Sequence, residues 1–584
     1  MPTFMWRPSP SFPPLRSNMN RIFLFGLAAL LLAAEGMAQT SPPPVLRAMK
    51  AELDRTMSGL AGKQPAPYFL SYAVAEVNTT VITATMGGID VNTTSRSRIL
   101  DVDLRVGSHA LDNTRSIRGV AFEMGRGTRG VEMPSGDDER SLRSIIWSAT
   151  DKAYKSAAER YGKVLTNLQV KVREEDSSAD LSRERAYVSI APPTDFQFDT
   201  AMWRDRVRYL SSLCAGHEHV LMGRVSFQAD LLVKYFVNSE GSMIVSSEPI
   251  VKMFLIVKSK ADDGMSLPLY ESYSAYSADR LPSRDQMEKD LRRMLDLCVK
   301  LRTAPLMETY SGPAILSGRS AGVFFHEIFG HRVEGHRQKD VNSSQTFKTF
   351  LGKKILPAFI NVVFDPTKKE LNGQDIVGAF EYDDEGIPGK RVVAVEQGVF
   401  KSFLMSRSPI QDFPVSNGHG RRQPGLRTVS RQSNLIVEAT QTVSIDSLRS
   451  ALRAECRRQS KEFGLLFEDI QGGFTFTGRT VPNAFNVQPL VVFKIFADGR
   501  PDELVRGVDL IGTPLTTFNN IVLAANDLGI FNGVCGAESG GVPVSASSPS
   551  LLVSTIEVQK KQKSQAKPPL LPDPTLTSTG GGQP

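Results

Sequence analysis

A histidine followed directly by a glutamate, with a second histidine five residues on, is the group in this chain best suited to chemistry. These are His326, Glu327 and His331, in the run Ala-Gly-Val-Phe-Phe-His-Glu-Ile-Phe-Gly-His. Two imidazoles suit a borderline-soft divalent ion, zinc above all. A carboxylate beside them can take a proton from water on that ion, which turns a binding site into a hydrolytic one. The spacing is one residue longer than the His-Glu-x-x-His of zinc proteases.

Residues 320–333 read as a helix, with Ser320 as N-cap and Gly335 as stop. At about 100° per residue, His331 falls about 140° from His326 and Glu327 lies between them. Phe324, Phe325, Ile328 and Phe329 take the opposite arc and face a core. Two ligands so far apart are awkward for one ion, and a one-residue π-bulge at Gly330 would bring them together. Gly330 would also leave room for an ion or a substrate backbone. The plain alternative is a buried helix with two incidental histidines; against it, three of the seven histidines (His326, His331, His336) lie close together here. A tetrahedral site needs a third protein ligand. Glu334, His336, His419 and Cys535 are the candidates, the cysteine lying between glycines in an expected loop.

The chain resembles the TldD/PmbA family of metallopeptidases, also called modulators of DNA gyrase, on its TldD side. The matching stretches are VNSEGS (Val237–Ser242), GVFFHEIFGHRVEG (Gly322–Gly335), EYDDEGIPG (Glu381–Gly389), PLVVFKIFADG (Pro489–Gly499) and GVCGAESGGVPVSASSPSLLVSTIEV (Gly533–Val558). The resemblance implies zinc held by His326, His331 and Cys535, with Glu327 as the catalytic residue. Ala537 stands where relatives carry a lysine. It further implies a dimer, either with itself or with a PmbA/TldE-like paralogue that lacks the metal motif. Its active site would be enclosed and would admit only unfolded peptides.

At 584 residues the chain is too long for one core. Hydrophobic content of 41% and charged content of 22% are ordinary for a globular protein. The net charge of +7 is concentrated at the ends, with +2 in residues 1–38 and +3 in residues 559–584. The remainder carries no nucleic-acid footprint. Arg21, the apolar run from Ile22 to Ala34 and the small-x-small Gly36-Met37-Ala38 read as an export signal, with Met19 a candidate true start. The run is too short for a comfortable membrane span, so the mature form is expected to be exported, periplasmic or secreted, with no span. Four cysteines (Cys214, Cys298, Cys456, Cys535) would leave an odd number if one binds metal, and no essential disulfide is expected.

The expected fold is α+β in two domains, after the signal peptide of residues 1–38. Residues 39–302 form an N-terminal α/β domain. In it, helices at Val45–Leu60, Glu139–Leu165 and Arg284–Leu301 accompany strands such as Tyr68–Val77, Val81–Gly87 and Ser97–Val106. Residues 303–558 form a mainly antiparallel β domain interrupted by the metal helix and by helices near Ile445–Gln459 and Thr516–Leu528. Residues 559–584 are polar and rich in Lys and Pro, and read as a disordered tail.

Asp383-Asp384-Glu385 reads as a turn whose acids orient substrate or line a cleft, with a hard-cation site as the alternative. Arg421 could grip a peptide carboxylate, and Asn238–Gly241 reads as a structural hairpin turn. The expected activity is zinc-dependent hydrolysis of unfolded peptides or small proteins. The alternative is an exported protein without hydrolytic activity, in which a four-ligand zinc is structural and the chain acts as an assembly or binding partner.

Overall fold

A computed structural model describes residues 42–117, 130–169, 176–340, 343–475, 477–478, 485–512 and 514–561. The expected export signal lies outside them, as does all but the first few residues of the expected tail.

The N-terminal half is built on long antiparallel strands: β1 (Pro67–Thr85), β2 (Gly88–Val106), β3 (Met222–Asn238), β4 (Met243–Lys260) and β5 (Ser266–Ala275). β2, β1, β3 and β4 pair in that order. The sheet is edged by Val131–Glu132 beside β2, and by β5 and the parallel Val188–Ile190 beside β4. Met86 (φ 50°) and Gly87 (φ 89°) make the tight turn between β1 and β2, in the left-handed conformation that a two-residue hairpin requires. Because side chains alternate across a strand, Tyr72, Val74, Ile82, Phe227, Val237 and Met253 share one buried face. Helices α1 (Pro44–Leu60), α2 (Glu139–Gln169), α3 (Thr200–Ser212) and α4 (Arg284–Thr303) cover that face. Polar residues on the opposite face, among them Asp101 and Lys234, meet loops of the second half at Asp384 and Arg422.

In the second half, β6 (Tyr310–Leu316) precedes the metal helix α5 (Gly318–Ile328). One sheet contains β7 (Ile360–Phe364), β8 (Val392–Glu396), β9 (Asn434–Ala439) and two later strands, β14 (Gly529–Ala537) and β15 (Gly540–Ser548). Its order is β8-β7-β9-β15-β14, with Val399–Phe400 outside β8. A second sheet closes on itself, β10 (Phe463–Thr475) pairing with β6, β6 with β16 (Leu551–Lys560), β16 with β12 (Val508–Gly512), and β12 with β11 (Phe485–Phe496), which returns to β10. Helix α6 (Ile445–Arg458) lies outside, against β6, β10 and β16.

Helix α5 runs between the two sheets, against β10 on one side and β14 and β15 on the other. Phe324, Phe325 and Phe329 are fully buried. Phe329 meets the rings of Phe347, Phe364, Phe400 and Phe518 at 5.5 to 6.4 Å between centroids. Such ring pairs add directional attraction to the burial of large apolar surface, and they fix the helix that carries the first histidine.

The mixed α+β fold is mostly strand, as the sequence leads one to expect. Several elements differ in extent. Tyr68–Val77 and Val81–Gly87 are one continuous strand, because pairing with β2 on one side and β3 on the other carries the chain through Asn78-Thr79-Thr80. The helix expected over Thr516–Leu528 is only Pro514–Asn519. The β-branched Ile521 then pairs with Val553 in a short strand, β13 (Ile521–Ala524), next to β16. Cys535 lies in β14 rather than in a loop, opposite Val542.

Candidate metal centre

The helix carrying His326 starts at Ser317, whose hydroxyl accepts from Ser320 N at 3.3 Å; Ser317, not Ser320, is therefore its N-cap. It ends at Ile328, five residues before the expected end. Arg332, 1% exposed, folds back and donates through Nη1 to the carbonyls of Glu327 (2.9 Å) and Ile328 (3.2 Å). A buried cation on the last carbonyls of a helix satisfies orphan acceptors and complements the helix dipole. The chain then tightens into a 3-10 turn over Gly330–Arg332, which holds His331.

This break does what a π-bulge was expected to do. The His326 and His331 rings come to 5.1 Å between centroids, nearly perpendicular at 79°. Gly330 is needed here for a different reason from the one the spacing suggested. A Cβ on Gly330 would lie 1.9 Å from Gln432 Oε1. Gln432 fills that room, and its Nε2 donates to the His326 carbonyl at 3.2 Å.

Cys535 arrives from β14, and its Sγ lies 3.3 Å from His331 Nε2. One nitrogen of each of His326 and His331 and the Cys535 sulfur all lie within 4.8 Å of one another, and all three residues are buried. Burial opposes ionisation of the thiol, but the facing imidazoles of His331 and His326 hold Cys535 well below the usual thiol range. Burial likewise works against a charged His331, yet the Cys535 sulfur and the Glu334 carboxylate raise it. Two imidazoles and a ready thiolate converging on one point fit zinc by donor type and number. Glu327, beside His326, is 7% exposed.

The other residues singled out in the sequence fall into two groups. Glu334 and His336 adjoin the centre but face away from the ligand group. Glu334, fully buried, lies behind His331, its Oε2 at 3.3 Å from His331 Nδ1, and accepts from Arg337 Nε at 3.0 Å. Burial pushes Glu334 up, and the charges of His331 and Arg337 outweigh it and bring it to about 2. His336 Nε2 is hydrogen-bonded to Glu538 instead.

The second group is scaffold. His419, fully buried, uses Nε2 with Ser433 Oγ (3.1 Å) and Nδ1 with Asn417 Oδ1 (3.1 Å), and burial pushes it down to about 3, so it is neutral. Asp383 accepts from the backbone N–H groups of Glu385, Ile387 and Gly420. Asp384 pairs with Lys234 at 2.8 Å. Arg421 donates to the carbonyls of Gln432 (2.7 Å) and Pro543 (2.8 Å), which makes it a brace between strands.

Sequence reasoning missed Arg332, Gln432 and Arg431. Each acts on backbone carbonyls, and Gln432 and Arg431 reach carbonyls about a hundred residues away. Local patterning carries no signal for such contacts.

Residues 309–560 match the family described as PmbA/TldA metallopeptidase C-terminal domain. A metalloprotease of Methanothermobacter thermautotrophicus is 28% identical over 320 residues, covering 54% of this chain and 65% of that protein. A zinc metalloprotease TldD homolog of Saccharolobus solfataricus is 24% identical over 251 residues, covering 42% of this chain and 51% of that protein. The chain thus spans less than two thirds of the length of these relatives. Among solved structures, a putative modulator of a DNA gyrase from Thermotoga maritima aligns with a TM-score of 0.56 at 15% identity, covering 87% of this chain and 99% of that one. TldE from Thermococcus kodakarensis aligns with a TM-score of 0.55 at 13% identity, covering 88% and 100%. These structures share the fold. Residues 309–560 are thus similar to that family's C-terminal domain, and the relatives matched are named metalloproteases.

Proposed function

We propose that this chain is a zinc-dependent peptidase in which His326, His331 and Cys535 hold the ion and Glu327 handles the proton. The observation that carries the reading is the convergence of two imidazoles and a depressed thiol, from segments about 200 residues apart, on one buried point. Zinc bound there supplies a Lewis acid that polarises a peptide carbonyl and lowers the pKa of attacking water. His326 and His331 turn ring nitrogens toward Cys535 Sγ, and Arg332 holds the turn that brings the second ring round. Glu327 receives the proton from water and returns it to the departing amine.

Three protein ligands would leave zinc a fourth position for water, which catalysis needs and a structural site does not. Glu334 and His336, the residues that could have closed the site, make hydrogen bonds to His331 and Glu538. Glu327→Ala is the test. Zinc stoichiometry should persist while hydrolysis of an unfolded peptide falls by about a hundredfold or more. Undiminished hydrolysis would overturn the mechanism.

Unfolded peptides are the substrate class we assign. No helix among the described residues is long and apolar enough to cross a membrane. The Arg21 to Ala38 segment supports export to the periplasm or beyond. The likeness to a TldE structure supports association with a paralogue or with a second copy. Light scattering that finds a fully active monomer would count against that association.

A further inference from the structure

Behind the three ligands lies a second layer of charge. Glu334 and Arg431 are both 0% exposed. Glu334 Oε2 lies 3.3 Å from His331 Nδ1, and Glu334 Oε1 lies 3.4 Å from Arg431 Nε. Arg431 Nη2 donates to the Cys535 carbonyl at 2.6 Å. Its Nη1 donates to Ser539 Oγ at 2.7 Å and to the Gly540 carbonyl at 2.9 Å, so one guanidinium grips both strands of the hairpin that carries the cysteine. Arg337 holds the carboxylate from the other side, through Nε at 3.0 Å and Nη2 at 2.8 Å. One carboxylate and one guanidinium thus join the histidine turn to the cysteine strand.

We infer that Glu334 and Arg431 are positioning residues that set the metal affinity of the centre; this rests on reading His326, His331 and Cys535 as the ligands. Burying a carboxylate and a guanidinium completely carries a large desolvation penalty, and apolar residues of similar volume often serve stability as well. Their job is geometric. A carboxylate on Nδ1 fixes the tautomer and the ring orientation, and turns the Nε2 lone pair toward Cys535. The Arg431 fork fixes the height of the Cys535 backbone against the same carboxylate, so the histidine–sulfur separation is set before any ion arrives. Without the pair, zinc would have to order its own ligands, and affinity would fall by that ordering cost.

The experiment uses the full chain and measures zinc affinity by competition with a chromogenic chelator, beside thermal melting of the metal-free protein. Glu334→Gln leaves the buried Arg431 charge without its carboxylate, and both stability and zinc affinity should fall. The double variant Glu334→Gln/Arg431→Met removes both charges but frees the Cys535 and Gly540 carbonyls, so its melting temperature should recover part of the way to the wild type. Its zinc dissociation constant should stay raised by about 10- to 100-fold, the range for loss of a ligand's outer partner. A double variant that binds zinc within about twofold of the wild type, or affinity that merely follows melting temperature, would overturn the inference. If neither variant folds, Arg431→Lys decides: it keeps the charge but cannot fork, so the dissociation constant should rise by about tenfold, and no rise would overturn the inference. A wild-type protein that binds no zinc would overturn both the inference and the reading it rests on. A wild type that binds zinc while all variants bind equally well would overturn the inference alone.

Discussion

Two buried clusters of ionisable side chains sit in the second half of the molecule, and from sequence both could be taken for metal sites. One is His326, His331 and Cys535; the other is Asp383, Asp384 and Glu385. In the first, the donor atoms point at one another within 4.8 Å. In the second, Asp384 turns away to Lys234 and Arg422 N, while Asp383 and Glu385 lie side by side at Gly420 with their oxygens spent on the N–H groups of Gly420 and Arg407. A carboxylate saturated by backbone N–H groups and a lysine is a brace, and a thiolate facing two imidazoles is an open ligand set. Burial and charge do not separate the two; the direction of the lone pairs does.

The sharpest way to break this comparison is to mutate each cluster and see which property moves. Lys234→Met should strand Glu248 and Asp384 beside each other, since Lys234 Nζ lies 2.7 Å from the first and 2.8 Å from the second. We expect a loss of about 3 kcal/mol in stability, read by denaturant unfolding, with zinc content unchanged. Loss of zinc in Lys234→Met would make the acidic cluster part of the centre. Cys535→Ser should do the reverse. Zinc affinity should drop by more than about a hundredfold, beyond what an outer partner contributes, while the fold persists. Atomic absorption after dialysis reads this directly. The same cysteine should resist alkylation in the zinc-loaded protein and react after chelation.

Gly330→Ala probes the turn that joins the two histidines. The new methyl would overlap Gln432, so either Gln432 releases the His326 carbonyl or the turn opens. Overpacking of this kind costs about 1–3 kcal/mol, and zinc affinity should fall with it. Gly330→Ala/Gln432→Ala should recover part of both losses.

At neutral pH His419 gives the smallest expected effect, and on acidification it gives the clearest sign. Its folded value is about 3, below the ordinary histidine range, so the unfolded chain binds a proton that the folded chain refuses. Stability from this group is therefore complete above about pH 6.5 and is lost as pH falls from there toward 3, at up to about 1.4 kcal/mol per pH unit. His419→Asn should flatten the stability–pH curve in that window by about one proton and leave zinc binding intact.

How far the sequence alone reaches differs between these parts. The aromatic arc on residues 324–329 and the clustering of histidines are local patterns, and they located the helix that carries His326, though not its ends. The α+β class and most strands and helices follow from the same periodicities. The end of α5 did not, because Arg332 caps it from beyond the helix, and a helical wheel continues through His331 with no sign of the break. Cys535 looked like a loop residue because of its glycine neighbours, yet pairing with Val542 makes it a strand residue. Glu334 read as a candidate ligand because it carries the right atoms, and only its approach to His331 Nδ1 shows it standing behind that ring. Long-range partners decide each of these points, and a sequence of one protein does not display them.

X-ray absorption at the zinc edge on the metal-loaded protein tests the central claim most directly. A first shell with one sulfur at about 2.3 Å and two imidazole nitrogens at about 2.0–2.1 Å, completed by one light oxygen atom, is the predicted result. A shell without sulfur, or one closed by four protein ligands, would contradict it.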